Sequence, residues 1–228
     1  MTNHSTKRAL YLYGGFPGHF PYEVAEWARP LMEELGFQLD ETQDPHVFES
    51  DLTSYDLIVC GWTQAMTTED LTERAEESLL GAVAQGTGFV GWHGSAAAFR
   101  ASLPFSFMAG ASFIEHPGGE GVEVPYEVRI IDRDHEITEG VDDFQAASEQ
   151  YYMHHDPAIH VLASTTFSGE PLPWLKGVEM PVAYTKRWGA GRVFYHALGH
   201  LPKDLQAPAV ERMTRQGLRW AARRNGSL

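Results

Sequence analysis

Cysteine occurs once in the 228 residues, as Cys60. No intrachain disulfide can form, which favours a reducing compartment. Cys60 stands in Leu57-Ile58-Val59-Cys60 with no basic neighbour, so it reads as a packing thiol and not a nucleophile. Long apolar runs are also missing, and none approaches the length that spans a bilayer. Met1 to Arg8 is polar and leads into a strand-like stretch without the apolar core of a signal peptide. A soluble, cytoplasmic protein is the expectation. Basic residues are few, 17 Lys and Arg against 31 Asp and Glu, for a formal net charge of -14. So acidic a surface repels phosphate backbones and anionic lipid, which argues against nucleic-acid and membrane partners. It suits a neutral or cationic small ligand.

Several catalytic signatures are absent. The first strand is followed by Gly14-Gly15-x-x-Gly18, only a loose echo of Gly-x-Gly-x-x-Gly, and the next helix is acidic, so no nucleotide is expected. No pair of cysteines and no His-Glu-x-x-His has structural or catalytic zinc spacing. A metal site would have to be assembled from distant loops.

What is present is ordinary globular material, 43% hydrophobic and 21% charged, enough for a sizeable core. Ala9–Tyr13 reads as a first strand, stopped by Gly14-Gly15. A helix follows from about Tyr22 to Leu35, with Val24, Trp27, Leu31 and Leu35 on one stripe. Phe37–Glu41 and Asp56–Gly61 read as strands. Thr68 is the expected cap of a helix that runs to about Gln85. Gly86 to Phe99 is the stretch the rest is arranged around. It begins as a short strand apolar on both faces, then turns sharply at Gly91-Trp92-His93-Gly94-Ser95, with Ser95 as the expected cap of an Ala-rich helix. Four strand–helix alternations predict a parallel sheet covered on both faces.

Beyond about Phe105 the texture changes. Residues 110–119 read as a loop, 122–131 as an edge or antiparallel strand, and 146–153, 160–164 and 182–186 as further strands. Trp188-Gly189-Ala190-Gly191 has hairpin chemistry, 192–196 is the partner strand, and 208–222 is a closing amphipathic helix. No linker or repeat divides the chain, so residues 1–228 are expected to form one domain.

Histidines mark many of the turns. His4, His46 and His160 read as surface residues, whereas His19, His93, His116 and His200 are framed by Gly or Pro at loops near strand ends. In a parallel sheet such loops converge on one edge. Imidazole serves there as acid, base or metal ligand. Glu149, in Ser148-Glu149-Gln150-Tyr151-Tyr152, is either a buried general base, a ligand, or a solvated edge residue. Of His154 and His155, at most one can join a given site, since neighbours in an extended segment point opposite ways. Trp62, Trp92, Phe113 and Tyr151 are candidate walls for a sugar ring, or core. A hydrolase elbow would carry Ser or Cys where His93 stands, so acyl transfer is disfavoured.

These segments together resemble the ThuA-like family, named for trehalose utilisation. The resemblance runs through Gly14-Gly15 with His19, Gly91-Trp92-His93-Gly94 and Gly110-x-x-Phe113-x-x-His116-Pro117. It continues through Asp134-His135-x-Ile137-x-x-Gly140, Glu149-x-Tyr151, Pro181–Tyr184, Gly189-x-Gly191-Arg192-Val193 and Leu198-Gly199-His200. It implies the class I glutamine amidotransferase-like fold, a flavodoxin-like α/β/α arrangement with a mostly parallel sheet and antiparallel additions in the C-terminal half. The amidotransferase cysteine is replaced by His93, so glutaminase activity is not implied. The implied setting is sugar catabolism, beside oxidoreductases that make 3-keto sugars. The expected activity is proton transfer on a sugar or 3-keto glycoside by His93, Glu149 and His116. Glu149 or His93 would serve as base, with His19, His116 or His200 polarising the carbonyl directly or through a divalent metal such as zinc held by His19, His93 and His200. Trp62, Trp92, Phe113 and Tyr151 would contact the substrate. The alternative is a non-catalytic module that binds a sugar, a metabolite or a partner of the pathway. A homo-oligomer is left open.

Overall fold

The computed structural model describes residues 6–63 and 71–223. Its first half realises the expected alternation as β1 (Lys7–Gly15), α1 (Pro21–Glu34), β2 (Phe37–Thr42), β3 (Leu57–Thr63), α2 (Glu73–Ala84) and β4 (Gly88–Trp92). Pro21 opens α1, where its missing N–H is no loss, and Val24, Ala25, Ala28, Leu31 and Met32 form the buried stripe. α2 is capped by Thr72, whose hydroxyl accepts from the Ala75 N–H at 3.2 Å. The expected cap, Thr68, lies outside the described residues.

The second half contributes α3 (Leu103–Ala109), β5 (Ala111–Glu115), β6 (Val124–Ile130), β7 (Phe144–Ser148), β8 (Tyr152–His155), β9 (His160–Thr166), β10 (Glu179–Trp188), β11 (Gly191–His196), α4 (Pro202–Leu205) and α5 (Pro208–Ala221). Nine strands form one sheet in the order β2-β1-β3-β4-β11-β10-β9-β6-β7. β2, β1, β3, β4 and β11 are mutually parallel. β10, β9, β6 and β7 continue the sheet antiparallel. The mixed α/β, flavodoxin-like architecture is therefore as expected, and so is the hairpin at Gly189-Ala190.

Alternation along the central strands builds two cores. Tyr11, Val59, Val90, Trp92 and Phe194 pack with the apolar faces of α1 and α5. Leu10, Leu12, Ile58, Cys60, Phe89 and Val193 pack with α2 and α3. This period of two, with helices on both sides, explains why the parallel strands read as unbroken apolar runs.

Three local expectations are corrected. Residues 111–115 form a strand, because β5 pairs with β8 (Ala111↔His155) in a separate two-stranded sheet. The strand expected over 146–153 is two strands, β7 and β8, broken at Glu149-Gln150-Tyr151. After β4 the chain makes a short 3-10 turn, His93–Ala97, with Ser95 inside the turn and not at a helix cap; the helix begins later, with Ser102 accepting from the Phe105 N–H at 3.0 Å. Among the described residues, no helix is long and apolar enough to cross a membrane.

Candidate metal centre

Four loops deliver the site. His19 follows β1, His93 follows β4 and His200 follows β11, all at the carboxyl ends of parallel strands. β1 is flanked by β2 and β3, so the chain reverses its direction of growth beside it, the position where open α/β sheets bind ligands. Glu149 comes from the break between β7 and β8, which lets its side chain turn inward.

One ligand atom each from His19, His93, Glu149 and His200 lies within 4.8 Å of all the others. Glu149 Oε2 is the hub, 3.2 Å from His93 Nε2, 3.2 Å from His200 Nδ1 and 3.3 Å from His116 Nε2. Its other oxygen accepts the Gly121 N–H at 2.6 Å. Glu149 and His93 are each 1% exposed. His116 stands outside the four-residue set, nearer solvent.

Each side chain is held from behind. His93 has φ 41, a left-handed conformation unusual for a residue with a Cβ. Two bonds fix it there: Tyr195 Oη donates to the His93 carbonyl at 2.8 Å, and His93 Nδ1 donates to the Ala197 carbonyl at 2.9 Å. The second bond places the ring proton on Nδ1 and leaves the lone pair on Nε2. His19 Nδ1 lies 2.9 Å from Thr63 Oγ1, which turns its Nε2 toward a ligand. Gly15 makes the approach possible. Its φ is +81, and a Cβ there would collide with the Thr63 carbonyl.

Gly94 is the tightest point. A methyl at this residue would overlap Thr63 Oγ1 and come within 2.6 Å of His19 Nδ1. Gly94→Ala is therefore expected to displace His19 and weaken divalent-metal binding about 10- to 100-fold, the usual effect of losing a group that orients a ligand. Chelator competition against the wild type measures this, and an unchanged affinity would show that His19 needs no support from Thr63.

The electrostatics suit a cation. Burial, reinforced by the neighbouring His93 and His200, lowers His19 to about 2. Burial likewise lowers His93. Burial alone would raise the Glu149 carboxyl, but the surrounding nitrogens of His116, His200 and His93 outweigh it and hold the group well below the usual carboxylate range. Near neutral pH the site thus holds the Glu149 carboxylate beside the uncharged imidazoles of His19 and His93. Glu149 Oε2 and His200 Nδ1 are buried, yet neither makes a hydrogen bond of good geometry. Two orphaned ligand atoms facing each other are costly unless a cation joins them. The residues can hold a metal, and three imidazoles with one carboxylate match a first-row divalent ion better than calcium or magnesium, which prefer all-oxygen shells.

The sequence-predicted residues divide into two groups. His19, His93, His116, Glu149 and His200 come together. Tyr151 joins them, its ring stacked 4.3 Å from that of His93 and its hydroxyl 2.8 Å from His93 Nε2. Burial, with the Glu149 charge, pushes its phenol well above the ordinary value. Phe113 lies 4.5 Å from the His116 ring and 4.6 Å from Tyr151, with the Arg100 guanidinium 4.9 Å above it. The two tryptophans are engaged elsewhere. Trp92 is 4% exposed, and its ring meets Tyr11 and Trp27 in the core beneath α1. Trp62 lies over Gly14 and packs against the α2-side core. Sequence reasoning missed Thr63, Gly121, Tyr195 and Ala197, which act through hydroxyl or backbone groups. His46 and His160 are exposed as expected, His154 and His155 are both exposed, and His4 lies outside the described residues.

Comparison with solved structures supports the same fold. A ThuA-like protein from Parabacteroides merdae superposes with a TM-score of 0.78 at 19% identity, covering 98% of this chain and 93% of that one. A ThuA-like protein from Bacteroides uniformis gives 0.75 at 20% identity, covering 97% and 93%. A β-galactosidase from Rahnella sp. R3 matches with a TM-score of 0.61 at 16% identity over 96% of this chain, which spans only 32% of that enzyme. No curated protein gives a significant match. The profile of the ThuA family, described as trehalose utilisation, matches residues 8–221, so the chain belongs to the ThuA family.

Proposed function

We propose that this protein is a metal-dependent enzyme of sugar catabolism that acts on a keto sugar, such as a 3-keto glycoside, by proton transfer. The observation that carries the reading is the convergence of His19, His93, Glu149 and His200 within 4.8 Å, with a fifth imidazole beside them. The family's link to trehalose utilisation supports a carbohydrate as the substrate.

A divalent ion such as zinc or manganese, held by these four residues, would supply Lewis-acid polarisation of a substrate oxygen. His116 is the group left to move the proton. Its Nε2 is 3.3 Å from the Glu149 carboxylate, which orients the ring, and its side chain is 17% exposed, so substrate can reach it. A ketone at C3 acidifies the C2–H bond. His116 takes that proton, the electron pair forms the C1–C2 double bond as the C1–O bond breaks, and the departing glycosidic oxygen receives the proton back from His116 and leaves as the free alcohol. Phe113 and Tyr151 wall the pocket, while Glu149 and His93 serve as ligands instead of the base expected from sequence.

The test is an assay of metal-supplemented protein with 3-keto-trehalose and a panel of other keto sugars, following the enone chromophore. Turnover that drops at least 100-fold in His116→Ala and in His93→Ala is the expected result. Full turnover in His116→Ala contradicts the assigned base. Tight sugar binding without product in the wild type would instead favour the non-catalytic binding module.

A further inference from the structure

One hydrogen bond in the centre is incompatible with a bound cation, and Tyr151 makes it. His93 Nδ1 lies 2.9 Å from the Ala197 carbonyl, which only accepts, so Nδ1 carries the ring proton and Nε2 a lone pair. Tyr151 Oη, 2.8 Å from Nε2, is therefore the donor. The same Nε2 faces Glu149 Oε2 at 3.2 Å and is the atom His93 offers to the four-residue cluster. One lone pair cannot accept an O–H and bind a metal together. Nor can the phenol withdraw. Tyr151 is 3% exposed, with His93 stacked 4.3 Å away and Phe113 at 4.6 Å. Its O–H, once released, must find an acceptor inside the same pocket or remain unsatisfied there.

We propose that Tyr151 is a hand-over group: it occupies His93 Nε2 until a metal arrives, then donates its O–H to an oxygen of the ligand that shares the centre. This rests on the metal reading above and deepens it. The phenol would select carbonyl- and hydroxyl-bearing ligands over those with no acceptor oxygen, as a keto sugar requires. Its partner changes with loading, while its ring position does not.

Three measurements test this. In metal-free wild type, long-range proton–nitrogen NMR of His93 is expected to show the proton on Nδ1 and a hydrogen-bonded, unprotonated Nε2. A protonated Nε2 overturns the proposal whatever the variant does. In chelator competition with cobalt(II) alone, Tyr151→Phe is expected to bind the metal about 5- to 10-fold more tightly, because no O–H has to be displaced. In cobalt-loaded protein, acetohydroxamate, an oxygen-donor probe, is expected to bind the same variant about 10-fold more weakly. Unchanged or weaker cobalt affinity, or unchanged acetohydroxamate affinity, overturns the hand-over and leaves the metal centre standing. Wild-type protein that takes up no cobalt, zinc or manganese overturns the centre and the hand-over together.

Discussion

Glu149→Gln is expected to lower affinity for a divalent ion at least a thousandfold and to abolish the metal-dependent rise in melting temperature. The substitution keeps the size of the side chain and an oxygen for the Gly121 N–H, 2.6 Å away in the wild type. It removes the charge that lies 3.2 to 3.3 Å from three imidazole nitrogens. Glu149 is the one formal negative charge in the four-residue set, and in a buried site its attraction for a divalent ion is only weakly screened. A ligand at about 100 times its Kd stabilises the native state by about 2.7 kcal/mol. For a chain of this size that is a rise of roughly 5 to 10 °C in the wild type. Thermal unfolding with and without zinc or manganese checks both proteins. A variant that keeps the metal-dependent shift would place the ion somewhere other than on Glu149.

Acid is expected to destabilise the metal-free protein from about pH 6.5 downward, well before surface carboxylates titrate. His196 is fully buried on β11, with Nε2 2.9 Å from Thr214 Oγ1 on α5. Burial, with a smaller push from His93, lowers it from 6.5 to about 3. The unfolded chain therefore takes up a proton near pH 6.5 that the folded chain refuses until about pH 3. Between those values stability falls by about 1.4 kcal/mol per pH unit for this residue, or about 3 kcal/mol by pH 4. His19, lowered to about 2 chiefly by burial, acts in the same direction over the same range. Glu149 adds to the loss at lower pH. Its folded value is depressed, so the stability it confers is present above the ordinary carboxylate range and disappears as acid protonates it. Urea unfolding from pH 7 to 4 measures the slope, and His196→Gln is expected to make it shallower by about one proton. An identical slope in the variant would mean that His196 takes up its proton while folded.

Much of this was legible in the chain. The unbroken apolar runs at β3 and β4 announced strands covered on both sides, and the Gly-framed imidazoles announced a strand-end site. His93 was legible because a histidine between Trp92 and Gly94 at the end of a short buried strand must turn sharply; its φ of 41 records that turn. Trp92 could have been recognised as core by period alone, since Val90 two residues earlier faces α1 and α5 and Trp92 must follow it. Other features had no local signal. β5 exists only because Ala111 meets His155, more than forty residues on. That pairing leaves no mark in a stretch rich in glycine and proline. The supporting atoms of the centre are one backbone carbonyl, one amide and two hydroxyls, and such groups become specific only through tertiary contact. Tyr151 was visible as an aromatic wall, but not as the donor to one nitrogen of His93, because tautomer and lone pair follow from Ala197, 104 residues from His93.

The most direct test of the centre is anomalous diffraction at the metal's absorption edge from crystals grown with zinc or manganese. A single strong peak bounded by His19, His93, Glu149 and His200 is predicted, with His116 beside the ion but not bound to it. A peak elsewhere, or none at saturating metal with the four side chains in place, would contradict the account.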